Sequence, residues 1–154
     1  MEVPAYSQYG AEVERLAAEI EGAGNSYEPV YKALDATIIE IEAEGEKPSD
    51  LLPADAEPGL GFSLNEKRDG KTLWRAIAIS SRQSLCDPDG DLRKRLAGTS
   101  GTSAGALVTL IMTALGLSTV AIGLAVALAG VITAIGLPTF CEWSAGTPDE
   151  LAAD

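Results

Sequence analysis

The sequence predicts a mainly α-helical protein: an N-terminal helical pair with a small β-hairpin, then a C-terminal hydrophobic α-helical hairpin that is membrane-associated. Three observations carry this. Apolar residues near the N-terminus recur at three- and four-residue steps, an Asp-Gly dipeptide separates two alternating runs, and residues 96–141 contain no charged side chain.

In the first segment, Val13, Leu16, Ala17 and Ile20 are interleaved with Glu12, Glu14, Glu19 and Glu21. That spacing places the apolar groups on one face of a helix over 7–22 and the acids on the other. The Gly-Ala-Gly-Asn run that begins at Gly22 supplies a stop, Ser26 suits an N-cap, and Pro29 is tolerated in a first helical turn. Val30, Leu34, Ile38 and Ile41 then line one face of a second helix ending near residue 43. A short turn between two acidic helices predicts an antiparallel pair.

Residues 44–61 are rich in proline and glycine and have no sustained period, so they read as a loop. Around Asp69-Gly70 a two-residue type I′ turn would pair Phe62 with Ile77, Leu64 with Arg75 and Glu66 with Leu73. Phe62, Leu64, Leu73, Ile77 and Ile79 would then share one buried face. The competing reading is an amphipathic helix over 73–85, weakened by its serines; the pattern favours the hairpin. Asp87-Pro88-Asp89-Gly90-Asp91 lacks the spacing of a calcium loop, because its glycine falls fourth and position twelve is Gly98. It reads as a proline-containing turn.

Charge is distributed in blocks. The net charge of −12 combines −12 over residues 1–66, +4 over 67–95 and −4 over 96–154. An acidic surface repels phosphate, so nucleic acid is not expected as a partner. The chain has no histidine, which removes the commonest general base and excludes histidine-containing triads. Neither a cofactor nor a metal is expected. Cys86 and Cys141 are too few for a disulfide framework, and the opening MEVPAYSQYG has neither a basic nor an apolar leader region. Both thiols are therefore expected reduced, with the N-terminal domain cytoplasmic.

The uncharged segment is punctuated by Gly116-Leu117-Ser118-Thr119 and closed by Pro138, which predicts one helix over 102–115 and another over 119–137. Gly105, Thr109, Thr113 and Gly116 form a small-residue stripe along the first, and Gly123, Ala127, Gly130 and Ala134 along the second. Such stripes permit close helix packing in lipid. Leu107, Leu110, Ile111, Ile122, Val126 and Ile132 would face acyl chains. The first helix is only about 21 Å long, so a shallow hairpin or an oblique helix fits better than two perpendicular spans. Arg93, Lys94 and Arg95 precede the segment as cytoplasmic flanking charges, while Phe140 and Trp143 follow it as interfacial aromatics. In character the hairpin is similar to those of colicin-type pore domains, with no shared motif.

Gly101-Thr102-Ser103-Ala104-Gly105 fits the G-x-S-x-G pattern of a nucleophile elbow. The string GTSAGAL at 101–107 resembles the nucleophile segment of patatin-like lipid acyl hydrolases, which implies a Ser–Asp dyad with Ser103 as nucleophile. The rest of that family's pattern is not matched. Gly59-Leu60-Gly61 lacks the third glycine and the basic residue of the oxyanion loop, Asp89-Gly90 precedes the serine, and no apolar strand enters it. Thr102 or Ser103 instead suits a helix cap.

The expected organisation is an acidic helical pair at 1–44, a Pro/Gly-rich linker at 45–61, a β-hairpin with a basic juxtamembrane segment at 62–95, a hydrophobic hairpin at 96–141 and an acidic tail at 142–154. The expected function is non-enzymatic. The acidic domain binds a protein partner or self-assembles as a homo-oligomer, and the hairpin anchors in or perturbs membrane lipid, with a pore-forming or effector role. The first alternative is a soluble oligomeric adaptor whose apolar hairpin is core. The second is the lipid acyl hydrolase.

Overall fold

The computed structural model describes residues 9–24, 26–52, 64–86, 104–117 and 119–144. Six α-helices carry the fold: α1 (Gly10–Gly22), α2 (Glu28–Ala43), α3 (Gly70–Cys86), α4 (Ala104–Leu115), α5 (Ile122–Ile135) and α6 (Leu137–Ser144). Short 3-10 turns occupy Pro48–Leu51 and Thr119–Ala121, and residues 64–67 form a further helical turn. The protein is mainly α, and no strand occurs among the described residues.

Helix α5 is the centre. Leu124, Ala125, Ala127, Leu128, Ala129, Gly130 and Val131 are all buried, a run that covers most of the circumference of a helix with a 3.6-residue repeat and leaves one strip, Ile122, Val126 and Thr133, half-buried or exposed. A helix apolar around most of its circumference needs cover from several sides. Here α1 supplies the most extensive cover, joined by α4, α2 and α6. The amphipathic faces expected for α1 and α2 are the faces they bury: Val13, Leu16, Ala17 and Ile20 from one, Val30, Leu34, Ile38 and Ile41 from the other. Each of these two helices touches α5 more than it touches its neighbour.

The helix ends follow from local chemistry. The Ser26 hydroxyl accepts the Glu28 N–H at 3.1 Å, and Pro29 sits in the first turn of α2. At the other end Gly45 adopts φ 86°. Its N–H reaches Glu42 O while that of Glu46 reaches Ile41 O, the paired bonds of a Schellman cap. The same pair recurs at the end of α4, where Gly116 has φ 62° and Leu117 N–H reaches Met112 O at 3.0 Å. Gly136, at φ 86°, separates α5 from α6.

The expected β-hairpin is replaced by α3. Asp69 caps a helix, its carboxylate accepting the Thr72 N–H at 2.8 Å, and Asp35 of α2 accepts the Gly70 N–H from outside. Gly70 is needed for space rather than for a turn: a Cβ there would lie 2.0 Å from Tyr31 O and 2.9 Å from Asp35 N. Leu73, Trp74, Ile77, Ala78, Ser81 and Leu85 are buried at helical spacing. The serines are accommodated because Ser80 and Ser81 donate to Ala76 O and Ile77 O, at 2.8 and 2.6 Å. Of the proposed pairs, Phe62 lies outside the described residues, while Leu64 is buried in its own helical turn.

A second correction concerns the cysteines. Cys86 at the end of α3 and Cys141 in α6 form a disulfide with a Cα–Cα distance of 5.6 Å. Sequence spacing held no hint of it, since 55 residues separate the two. Beside the bridge, Trp74 meets Phe140 edge-on at 5.7 Å and Tyr27 at 5.6 Å. Phe140, expected at a membrane interface, is 0% exposed.

Gly70→Ala should lower stability by about 3 kcal/mol through overpacking, seen as a lower urea midpoint at unchanged m-value. Gly22→Ala, whose Cβ would meet nothing within 4 Å, should be neutral or stabilising. Reducing Cys86–Cys141, with its 55-residue separation, should lose about 4 kcal/mol on the loop-entropy account, measured by the same titration with and without a thiol reductant.

Candidate functional site: an acidic groove over the central helix

Because α1 and α2 lean on α5 more than on each other, they leave a groove between them with α5 as its floor. Its accessible volume is about 480 Å³. The apolar part comes from Leu16, Ile41, Val120, Ile122 and Val126. Leu16 and Ile41 are buried, whereas Val120, Ile122 and Val126 are only half-buried and remain in contact with solvent.

Small residues set how closely α2 lies on the floor. Ala33, Ala36 and Thr37 form the α2 wall opposite Gly123 of the floor. A Cβ at Gly123 would lie 2.5 Å from Thr37 Oγ1, so helix α5 can approach this wall so closely only with glycine there. The Thr37 hydroxyl donates to Ala33 O at 3.1 Å, which satisfies it within its own helix. Tyr9 lines the groove beside the start of α1.

The rim is acidic. Glu12 and Glu19, seven residues apart, fall on one stripe of α1, and Glu40 lies in the last turn of α2 with Glu44 at its C-cap. All four are exposed. Arg15 is the one cation among the lining residues; it stands 4.0 Å from Glu12 with its side chain 71% exposed, an arrangement worth little in water. Just beyond Glu44, the Glu46 carboxyl is raised above its ordinary 4.5 by a hydrogen bond with Asp50, then by slight desolvation and the charges of Asp50 and Glu44. Asp50 in turn accepts the Lys47 N–H at 2.9 Å and so starts the 3-10 turn.

The small-residue positions expected to pack the two apolar helices together are distributed differently. Gly123 faces Thr37 of α2, and Gly130 faces Leu16 of α1, where a Cβ would lie 2.9 Å from Leu16 Cδ2. Gly105 and Ala127 are buried, Thr109 and Ala134 half-buried, and Thr113 and Gly116 exposed. Thr109 donates to Gly105 O at 3.3 Å. Arg93, Lys94, Arg95 and Ser103 lie outside the described residues, as does Asp89; Trp143 falls within α6. Among the described residues no helix is long and apolar enough to cross a membrane. No group of three or more His, Cys, Asp or Glu there is placed to hold a metal ion.

The groove was not anticipated from sequence, although its parts were. The acids interleaved with the α1 stripe read as a solvated face, and Gly123 as half of a helix–helix seam. What joins them is the tertiary separation of α1 from α2, which no local period encodes.

Glu46→Gln should raise stability at neutral pH, because the amide can donate to Asp50 without adding charge. The raised carboxyl favours its protonated form in the fold, so its favourable contribution is complete below about 4.5 and is lost as pH rises through the raised value. The advantage of the variant over the parent should therefore vanish as pH falls below that range, measured by thermal unfolding across a pH series.

No protein family, curated protein or solved structure matches this chain.

Proposed function

We propose that the protein is a non-enzymatic binding module: the acidic α1–α2 pair receives a protein partner, and the uncharged hairpin α4–α5 serves as the core that holds the pair apart. The groove between α1 and α2, apolar below and acidic at both edges, is the observation that carries this reading. An apolar groove on a folded scaffold is one of the recurring forms in which a segment of a protein partner is received. The chain's lack of histidine agrees with a role without acid–base chemistry. The disulfide supports placement in an oxidising compartment rather than in a reducing cytoplasm.

A second reading, contact with membrane lipid, is supported by the absence of charge from residues 96–141 and by the half-buried Leu110, Ala114 and Leu115 on α4. With α4 and α5 as short as they are, such contact would be shallow. It would also require the hairpin to leave the helices that cover it.

One experiment separates the two. The oxidised chain is titrated with short unstructured peptides of net positive or net negative charge while backbone amide shifts are followed, and in parallel is sedimented with neutral and anionic vesicles. The binding-module reading expects shifts at Leu16, Thr37, Gly123 and Val126 with the cationic peptide only, and no sedimentation. Sedimentation with neutral vesicles, together with an unperturbed groove, would replace it with the membrane reading.

A further inference from the structure

We propose, resting on the binding-module reading, that the occupant of the α1–α2 groove is a basic amphipathic α-helix of about three turns on a partner protein. Charge complementarity selects the sign. Glu12 and Glu19 border one side and Glu40 and Glu44 the other, with Arg15 the lone opposing charge among the lining residues. An acidic segment, or the acidic helices of a second copy, would meet like charge on both rims.

Shape selects the helix. The α2 wall runs from Ala33 to Glu44, about 16 Å at the helical rise, which is the length of about three turns. The groove presents one apolar strip, Leu16, Ile122 and Val126, flanked by carboxylates on both sides. A ligand matching it needs one apolar edge between two cationic edges, which a helix provides with anchors at i, i+3 or i+4, and i+7. An extended strand alternates its side chains between opposite faces and cannot present both edges alongside one seam. Ala33, Ala36 and Thr37 leave room for the anchors on the α2 side.

The groove also sets a preference among anchors. A side chain entering the groove meets the half-buried Val120, Ile122 and Val126, since Thr37 already packs against Gly123. Branched aliphatic groups such as Leu fit this floor, while an anionic side chain there would be desolvated beside the carboxylates of the rim.

The test uses the full oxidised chain and three peptides of about 15 residues with identical Lys, Leu and Ala content. One is patterned for an amphipathic helix, one is scrambled to remove the apolar edge, and one carries a central proline in the helical pattern. The helical peptide should bind with shifts confined to the groove and gain helical circular dichroism on binding. The scrambled and proline peptides should bind at least about tenfold more weakly, a difference of about 1.4 kcal/mol. Substituting Glu12, Glu19, Glu40 and Glu44 together by Gln should weaken the helical peptide about tenfold, the sum of four exposed charge contacts. Ala36→Leu, at an exposed position of the α2 wall, should weaken it further by filling the groove, with folding verified by thermal unfolding.

Equal groove binding by all three peptides would overturn the helical occupant while leaving the acidic binding groove standing. Groove shifts with none of them would overturn both. If Arg93→Gln, Lys94→Gln and Arg95→Gln together strengthen peptide binding, or convert a dimer to a monomer, the groove belongs to the chain's own basic segment and the proposal fails.

Discussion

Helix α5 is apolar around most of its circumference, and four other helices are arranged around that fact. Burying such a helix requires several partners, and their close approach requires that some positions carry almost no side chain. Gly130 admits Leu16 of α1, and Gly123 admits Thr37 of α2. Helix α1 packs chiefly on α5, and α2 chiefly on α3 and next on α5, so neither leans mainly on the other. The hydrophobic demand of the core and the open groove at the surface are therefore two aspects of one packing solution. A bulkier residue in the floor would act on stability and on the groove together.

The division of labour along the chain follows from this. Apolar stripes on α1 and α2 supply cover, and their acidic faces, left outward, supply solubility and sign. Helix α3 contributes its own apolar face and is fixed to α2 through Asp35 and the glycine at position 70. Lys71 sits 5.9 Å from the centre of the Tyr31 ring, and Arg68 stands 3.7 Å from Glu42, so the few cations of this region are drawn against α2. The net effect leaves the α1–α2 rim with most of the unopposed negative charge near the groove.

Much of the helical order was legible in the sequence because it is written locally. The periods of α1 and α2, the proline in the first turn of α2 and the cap at Gly116 all depend on residues within a few positions of one another. Asp69-Gly70 was misread because the same dipeptide serves two purposes. Asp favours both turns and N-caps, and glycine supplies either positive φ or space. Which one applies is decided by Tyr31 and Asp35, more than thirty residues away. The uncharged hairpin carried a similar ambiguity, since an apolar surface does not declare whether protein or lipid will cover it. Phe140 illustrates this: it stood at the edge of an apolar run, and its environment was set by Trp74 on a distant helix. The disulfide was illegible for the same reason, its partners being brought together only when α6 packs on α3.

The bridge has a consequence for how the molecule breathes. Helix α6 spans only eight residues, too few to remain helical alone, and a terminal element of that kind ordinarily frays far more often than the whole protein unfolds. Tied covalently to the last residue of α3, it stays tethered beside that helix when its own backbone bonds open. Local opening at this end of the bundle is thereby coupled to a helix held at its other end by α2. The tether shortens each excursion of α6, so the seal over that side of α5 re-forms from close by whenever it opens.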